Sequence, residues 1–175
     1  LSGSYRQAAS CLKVAEYYSD KSSRFNQMTR FWLAESYYRN DQYAQARELY
    51  TELYNQSALN RQPESYLITY NIAYCHYKEE NYAEAMKWFG RYLKEHSVRF
   101  RKDAMERTAD CYFVTREYST AAELYEQVMN DYSDVNDIYP YYQSALSYGL
   151  SGNSSKKITL LSNVLQADPS ARFYP

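Results

Sequence analysis

The sequence predicts an all-helical fold, a right-handed α-solenoid built from antiparallel helix hairpins. Two observations carry this. First, Ala73, Tyr82, Ala85 and Phe89 have counterparts at unchanged spacing upstream in Ala34, Tyr43, Ala46 and Tyr50, and downstream in Ala109, Tyr118, Ala121 and Tyr125. Self-similarity at a few tens of residues marks a unit that cannot bury its own apolar face and must stack on neighbours. Second, 175 residues contain only four Gly and four Pro, beside 23 Tyr, and so few breakers favour long helices over strands and turns.

Each element follows from apolar spacing. Tyr5, Ala8, Leu12 and Ala15 occupy the slots of Tyr82, Ala85, Phe89 and Tyr92, so residues 5–19 are expected to be the second helix of a hairpin whose first helix lies outside the sequence, with residues 1–23 a truncated unit. On this reading the chain is a segment of a longer protein. The first complete unit spans 24–60, with Leu33, Ala34 and Tyr37 on one helix and Ala46, Tyr50 and Leu53 on the next. Asn40 and Asp41 are expected to stop the first of these and cap the second.

The unit 61–97 places Pro63 in a first helical turn, where its missing N–H costs nothing, and carries Ile72, Ala73, His76, Ala85, Phe89 and Tyr92. The unit 98–133 repeats the pattern with Met105, Thr108, Ala109 and Tyr112, then Tyr118, Ala121, Tyr125 and Val128. The last, 134–175, begins within the polar link 132–137, admits Pro140 in a first turn, and is degenerate: Lys157 and Ser154 replace the small residue and the tyrosine. By subtraction, Ala34, Ala73, Ala109 and Ala145 lie 39, 36 and 36 residues apart. An alanine on each helix lets the two approach to about 8–10 Å, and aromatics fill the wedge between hairpins.

Composition narrows function. Twenty basic against 21 acidic residues give a net charge of −1, which argues against nucleic-acid binding through bulk electrostatics, and the run Arg99, Arg101, Lys102 reads as a solvated helix start. No apolar run reaches the length needed to cross a bilayer. Cys11, Cys75 and Cys111 are odd in number without a CxxC, which fits buried thiols and leaves the redox compartment open.

Chemistry finds little support. His76 falls in a core slot and His96 at a helix end, which leaves no histidine for a Ser-His-Asp hydrolase; turnover lost on changing His76 without unfolding would be needed to revive that reading. The carboxylates of 131–137 lack the Gly and Glu of a calcium loop, and no stretch has the glycines of a phosphate loop. Asn55 and Asn153 head glycosylation tripeptides that matter only in a eukaryotic secretory pathway. No cofactor and no metal are expected.

The repeated residues resemble the tetratricopeptide repeat over essentially the whole chain: Leu33, Ala34, Tyr37, Ala46 and Tyr50; Ile72, Ala73, Ala85 and Phe89; Ala109, Tyr112, Ala121 and Tyr125; Ala145, Tyr148, Leu161 and Pro169. Departures are the spacing, His76 for tyrosine and Lys157 for alanine. The long spacing and the abundant tyrosine are similar in style to tetratricopeptide proteins of bacterial envelopes, which points to a periplasmic or envelope-associated setting.

The resemblance implies a concave face lined by first helices, and on this chain that face carries Phe31, Tyr38, Tyr70, Tyr74, Tyr77, Glu106, Asp110, Phe113 and Tyr142. Tyrosine suits peptide binding, being a rigid amphipathic plane with a hydroxyl for backbone groups. Members that clamp a chaperone's C-terminal carboxylate use Lys, Asn and Arg there; Phe31, Glu35, Tyr70, Tyr74, Glu106 and Asp110 cannot form that clamp, and the pair Glu106 and Asp110 would favour a basic or neutral extended segment. The expected partner is therefore another protein or peptide, with no nucleic acid and no membrane insertion by this segment. The alternative is a structural spacer or oligomerisation arm whose aromatics serve only internal packing.

Overall fold

The structure, a computed structural model, describes residues 2–56, 65–94, 99–132 and 137–167. Among the described residues there are nine helices and no strand: α1 (Ser2–Tyr18), α2 (Arg24–Tyr38), α3 (Tyr43–Asn55), α4 (Ser65–Lys78), α5 (Tyr82–Lys94), α6 (Arg101–Val114), α7 (Tyr118–Asp131), α8 (Tyr139–Leu150) and α9 (Ser154–Ala167). None is long and apolar enough to cross a membrane. The chain divides into two compact units, Leu1–His96 and Ser97–Pro175. In the first, α1 packs on α2, α2 on α3, α3 on α4 and α4 on α5; in the second, α6 packs on α7, α7 on α8 and α8 on α9. Pro63, His96 and Pro169 lie outside the described residues.

The alanines sit where the spacing puts them. Ala34, Ala46, Ala73, Ala85, Ala109, Ala121 and Ala145 have no solvent exposure. In the first unit Phe31, Ala34, Ala46, Tyr50, Leu53, Ile68, Ile72 and Cys75 form one core, and in the second Ala109, Ala121 and Tyr125 form another, with Tyr112, Phe113, Leu124 and Tyr139 against it. Arg30, nearly buried, ties α2 to both neighbours by ion pairs with Glu16 of α1, at 3.3 Å, and Glu52 of α3.

All four hairpins turn by one device. The residue seven after each first-helix alanine has positive φ: Asp41 at 58°, Glu80 at 59°, Arg116 at 66° and Gly152 at 90°. Two backbone bonds accompany it each time. Gln42, Asn81, Glu117 and Asn153 donate N–H to the carbonyls of Tyr37, His76, Tyr112 and Tyr148 at 2.8–2.9 Å, while the positive-φ residues donate to Tyr38, Tyr77, Phe113 and Gly149. This is the left-handed helix stop that satisfies the last orphan carbonyls.

Two expectations are corrected here. Asn40 and Asp41 do not cap α3: its N-cap is Gln42, with no side-chain cap bond, and Asp41 instead supplies the left-handed residue while accepting from the Tyr43 hydroxyl at 2.6 Å. Asn153, at the position of Gln42 three hairpins later, does accept from the Lys156 N–H at 3.1 Å. Nor are all three thiols buried. Cys75 and Cys111 are, and burial pushes the Cys111 thiol up to about 12, but Cys11 is exposed because α1 turns that face to solvent.

Side-chain pairs vary in concert with this frame. Where Tyr38, Tyr77 and Phe113 meet Tyr43, Tyr82 and Tyr118 edge to face across the turn, at 5.4, 6.0 and 5.5 Å, the fourth hairpin has Gly149 and Ser154. Both rings are lost together, and the Lys157 stem takes the space: a Cβ on Gly149 would lie 2.7 Å from Lys157 Cδ. That explains how the hairpin tolerates lysine in place of the small residue.

Two outcomes test this account. Ala85→Leu should destabilise by about 1–3 kcal/mol through overpacking, read from urea midpoints. A non-glycine residue in the left-handed region costs about 1–2 kcal/mol. Glu80→Gly and Arg116→Gly should therefore raise the midpoint and Gly152→Ala, whose Cβ would meet open space, should lower it.

Candidate functional site

The nine residues expected on the concave face fall at three repeating positions of the first helices, and each position has its own partner on the second helix. At the earliest, Phe31 is buried 5.8 Å from the Tyr50 ring, and Tyr70 is half-buried, 5.2 Å from Tyr92 and 6.2 Å from Phe89. Glu106 stands at this position in α6 and half-buried Tyr142 in α8. One turn later come Glu35, Tyr74 and Asp110; one further, Tyr38, Tyr77 and Phe113, all half-buried.

The middle position shows how the face is built. The Tyr50 hydroxyl donates to Glu35 at 3.0 Å, and the Tyr125 hydroxyl donates to Asp110. In the intervening hairpin the same two places hold Tyr74 and Phe89, whose rings meet edge to face at 5.4 Å. In the last they hold Leu146 and Leu161. A hydroxyl-carboxylate bond and an aromatic pair are thus interchangeable closures of one hairpin, and the last hairpin has leucines at the same two places. Burial raises the Tyr50 and Tyr125 hydroxyls well above the ordinary tyrosine range, helped by the neighbouring carboxylates, so both remain donors at neutral pH.

In the first unit the structure gathers Tyr70, Tyr74 and Tyr77 into one ladder along α4. Centroids lie 4.9 Å apart for Tyr70 and Tyr74 and 6.1 Å for Tyr74 and Tyr77, with Tyr82 continuing from Tyr77 at 6.0 Å. Phe89 and Tyr92 of α5, both without exposure, back it. Tyr38 lies on α2 against Tyr43, and Phe31 belongs to the core beneath. His76 is half-buried, and burial followed by the Arg47 charge holds its imidazole below the ordinary range, so it is neutral at pH 7.

In the second unit the acidic pair differs from expectation. Glu106 and Asp110 are 8% and 6% exposed, so they form no open acidic patch. Arg107 lies among them: it donates to Asp110, and its guanidinium nitrogens are 3.6 Å from Glu106 and Asp103. Asp110 also accepts from the Tyr139 hydroxyl at 2.6 Å, and the Arg107 guanidinium stands 5.2 Å over that ring. Lys102 pairs with Asp137 nearby. The sequence placed Tyr139 on the first-helix face, but Arg107 was not legible as a site residue, although Asp103, Arg107 and Asp110 have the spacing of helical ion pairs.

Glu106 is the strained member of this cluster. Its Oε1 is buried without a hydrogen-bond partner among the described residues, and burial, then the Asp137 charge, raise its carboxyl to about 7. Among the described residues no group of His, Cys, Asp and Glu is arranged to hold a metal ion.

Hairpins in register, closed by one turn and carrying aromatics along their first helices, define a helical-repeat interaction scaffold. The chain belongs to the tetratricopeptide-repeat superfamily, whose repeat matches residues 33–99 and again 103–134, together more than half of its length. Such repeats bind other proteins and are in general non-catalytic. No curated protein is matched by sequence. Solved structures with the same fold include TPR-like repeats of a Podosopora anserina kinesin light chain, 18% identical over 94% of this chain and 87% of that one with a TM-score of 0.75. MamA is also similar, at 18% identity over 94% and 89% with a TM-score of 0.76, and in a second structure at 17% over 99% and 90% with the same score.

Glu106 gives a pH signature. Its folded carboxyl titrates above the unfolded one, so its contribution is fully present below the ordinary glutamate range and is lost as pH rises towards 7. Glu106→Gln should raise the urea midpoint at pH 8, by on the order of 1–3 kcal/mol, and change it far less at pH 4.5.

Proposed function

We propose that the protein is a non-catalytic scaffold that holds an extended polypeptide segment against the aromatic face of its first unit, with Tyr70, Tyr74 and Tyr77 as the contact residues and Tyr38 beside them. The observation that carries this is the ladder on α4: three half-buried rings in a row, fixed from behind by Phe89 and Tyr92. Rings already held in place lose little entropy when a ligand docks, and their hydroxyls suit peptide carbonyls and N–H groups. In the second unit Phe113 and Tyr142 occupy corresponding positions, while Glu106 and Asp110 contribute more to the internal ion network than to a ligand. A chaperone-tail clamp finds no support, since no Lys, Asn or Arg stands at these positions.

One observation favours the spacer reading instead. Tyr74 and Tyr77 each close a hairpin contact, on Phe89 and Tyr82, which would suffice to retain them in a purely structural arm. Peptides selected from a random phage-displayed library against the protein separate the two. On the scaffold reading, Tyr74→Ala with Tyr77→Ala weakens the selected peptides about tenfold or more, in line with aromatic hot spots worth 1–2 kcal/mol. The ring-preserving Tyr74→Phe with Tyr77→Phe keeps the fold and most of the affinity. Unchanged peptide affinity in the double alanine variant, or peptides mapping elsewhere by NMR, overturns it.

A further inference from the structure

Successive hairpins meet where a second helix packs on the next first helix, and two such joints carry matched charge. Between α3 and α4, Arg47 Nε lies 2.8 Å from Glu79. Between α7 and α8, the Tyr148 hydroxyl donates to Glu126 at 2.6 Å, and Lys156 Nζ reaches Glu126 at 2.9 Å and Tyr148 at 2.7 Å. A carboxylate sits beside the cation in both.

The joint between α1 and α2 has such a pair in Arg30 and Glu16, at 3.3 Å, but next to Tyr37 the rule fails. Tyr37 occupies the place of Tyr148, but Lys13 stands where the register puts Glu126, with its Nζ 5.3 Å from the Tyr37 ring centroid. A cavity of about 360 Å³ opens here, lined by Arg6, Ser10, Lys13, Tyr37, Asn40 and Gln42, with no acidic residue in its wall. Neither Arg6 nor Lys13 has an ion pair among the described residues. Carboxylates of the flanking elements are engaged elsewhere: Glu16 by Arg30, Glu35 by Arg39 and Tyr50, and Asp41 by Tyr43. The neutral groups favour an acceptor ligand. Asn40 Nδ2 donates to Gln42 Oε1 at 3.1 Å, which leaves the Gln42 amide its own N–H donors beside the Tyr37 hydroxyl.

We propose that this pocket is an oxyanion site, in which Arg6 and Lys13 supply the charge and Tyr37, Asn40 and Gln42 supply directional donors for a carboxylate or phosphate group. Guanidinium and ammonium together combine planar recognition with a mobile point charge. The site is open to water, so its affinity belongs in the millimolar range and falls with salt. It is independent of the α4 ladder, and a failure of either leaves the other standing.

The test follows backbone and Arg6 side-chain NMR signals as inorganic phosphate, and separately a short Asp- and Glu-rich peptide, are added at ionic strength held constant with chloride. Saturable shifts at Ser10, Lys13 and Asn40 are expected, weakened about tenfold in Arg6→Gln with Lys13→Gln and retained in Lys13→Arg. Both cations are exposed, so these variants should melt with the parent. Each competing ligand displaces the other, so the lower dissociation constant names the source: the peptide for acidic side chains of a polypeptide, phosphate for the free ion; either supports an oxyanion site. Shifts that chloride alone reproduces, or that survive in the double glutamine variant, overturn it.

Discussion

The left-handed residue that ends every first helix is the constraint on which the rest depends. Once Asp41, Glu80, Arg116 and Gly152 reverse the chain at one register, the second helix returns at a fixed phase, and every later position faces a determined position of the first. The bonds that secure the reversal are all between backbone groups, so side chains at the turn are free to vary. Three of the four turns hold this geometry without glycine, an outlay in backbone strain that the buried alanine crossings must offset.

Fixed phase turns single residues into pairs. Glu35 and Tyr50, Tyr74 and Phe89, Asp110 and Tyr125, Leu146 and Leu161 are four chemical answers to one geometric problem, the sealing of a hairpin by positions fifteen residues apart by subtraction of their numbers. Each answer is internally complete. A tyrosine without its carboxylate would bury an unsatisfied hydroxyl, and a carboxylate without its tyrosine would bury a charge, so mixed pairs are costly. The same logic removes both rings at Gly149 and Ser154 and lets the Lys157 stem fill the gap.

This separates what the sequence made legible from what it did not. Helix identity and the buried alanines were legible, because period and small-residue spacing are properties of single positions. The aromatic ladder was legible as a row of tyrosines on one helix. The fate of Glu106 and Asp110 was not: helical spacing placed them on one face, but Tyr125, Tyr139 and Arg107 claim Asp110 and cover the pair, and those contacts join separate helices. Turn chemistry failed similarly, since Asn40 and Asp41 have the composition of a cap while the backbone bonds need none.

The tyrosines acquire two roles from this arrangement. Tyr38, Tyr74 and Tyr77 each meet a ring of the hairpin partner and remain half-buried, so packing uses part of each side chain and leaves part exposed. Tyr74 shows both, set against Phe89 behind and between Tyr70 and Tyr77 along the helix. Tyrosine is suited to such a position because its ring supplies the packing while the hydroxyl at its far end tolerates water, which leucine at Leu146 cannot match. On the proposed reading, ligand surface and fold stability are coupled most tightly in α4, where the hairpin seal itself is aromatic. They are least coupled at the α1 and α2 joint, where Arg6 and Lys13 carry charge without taking part in any core.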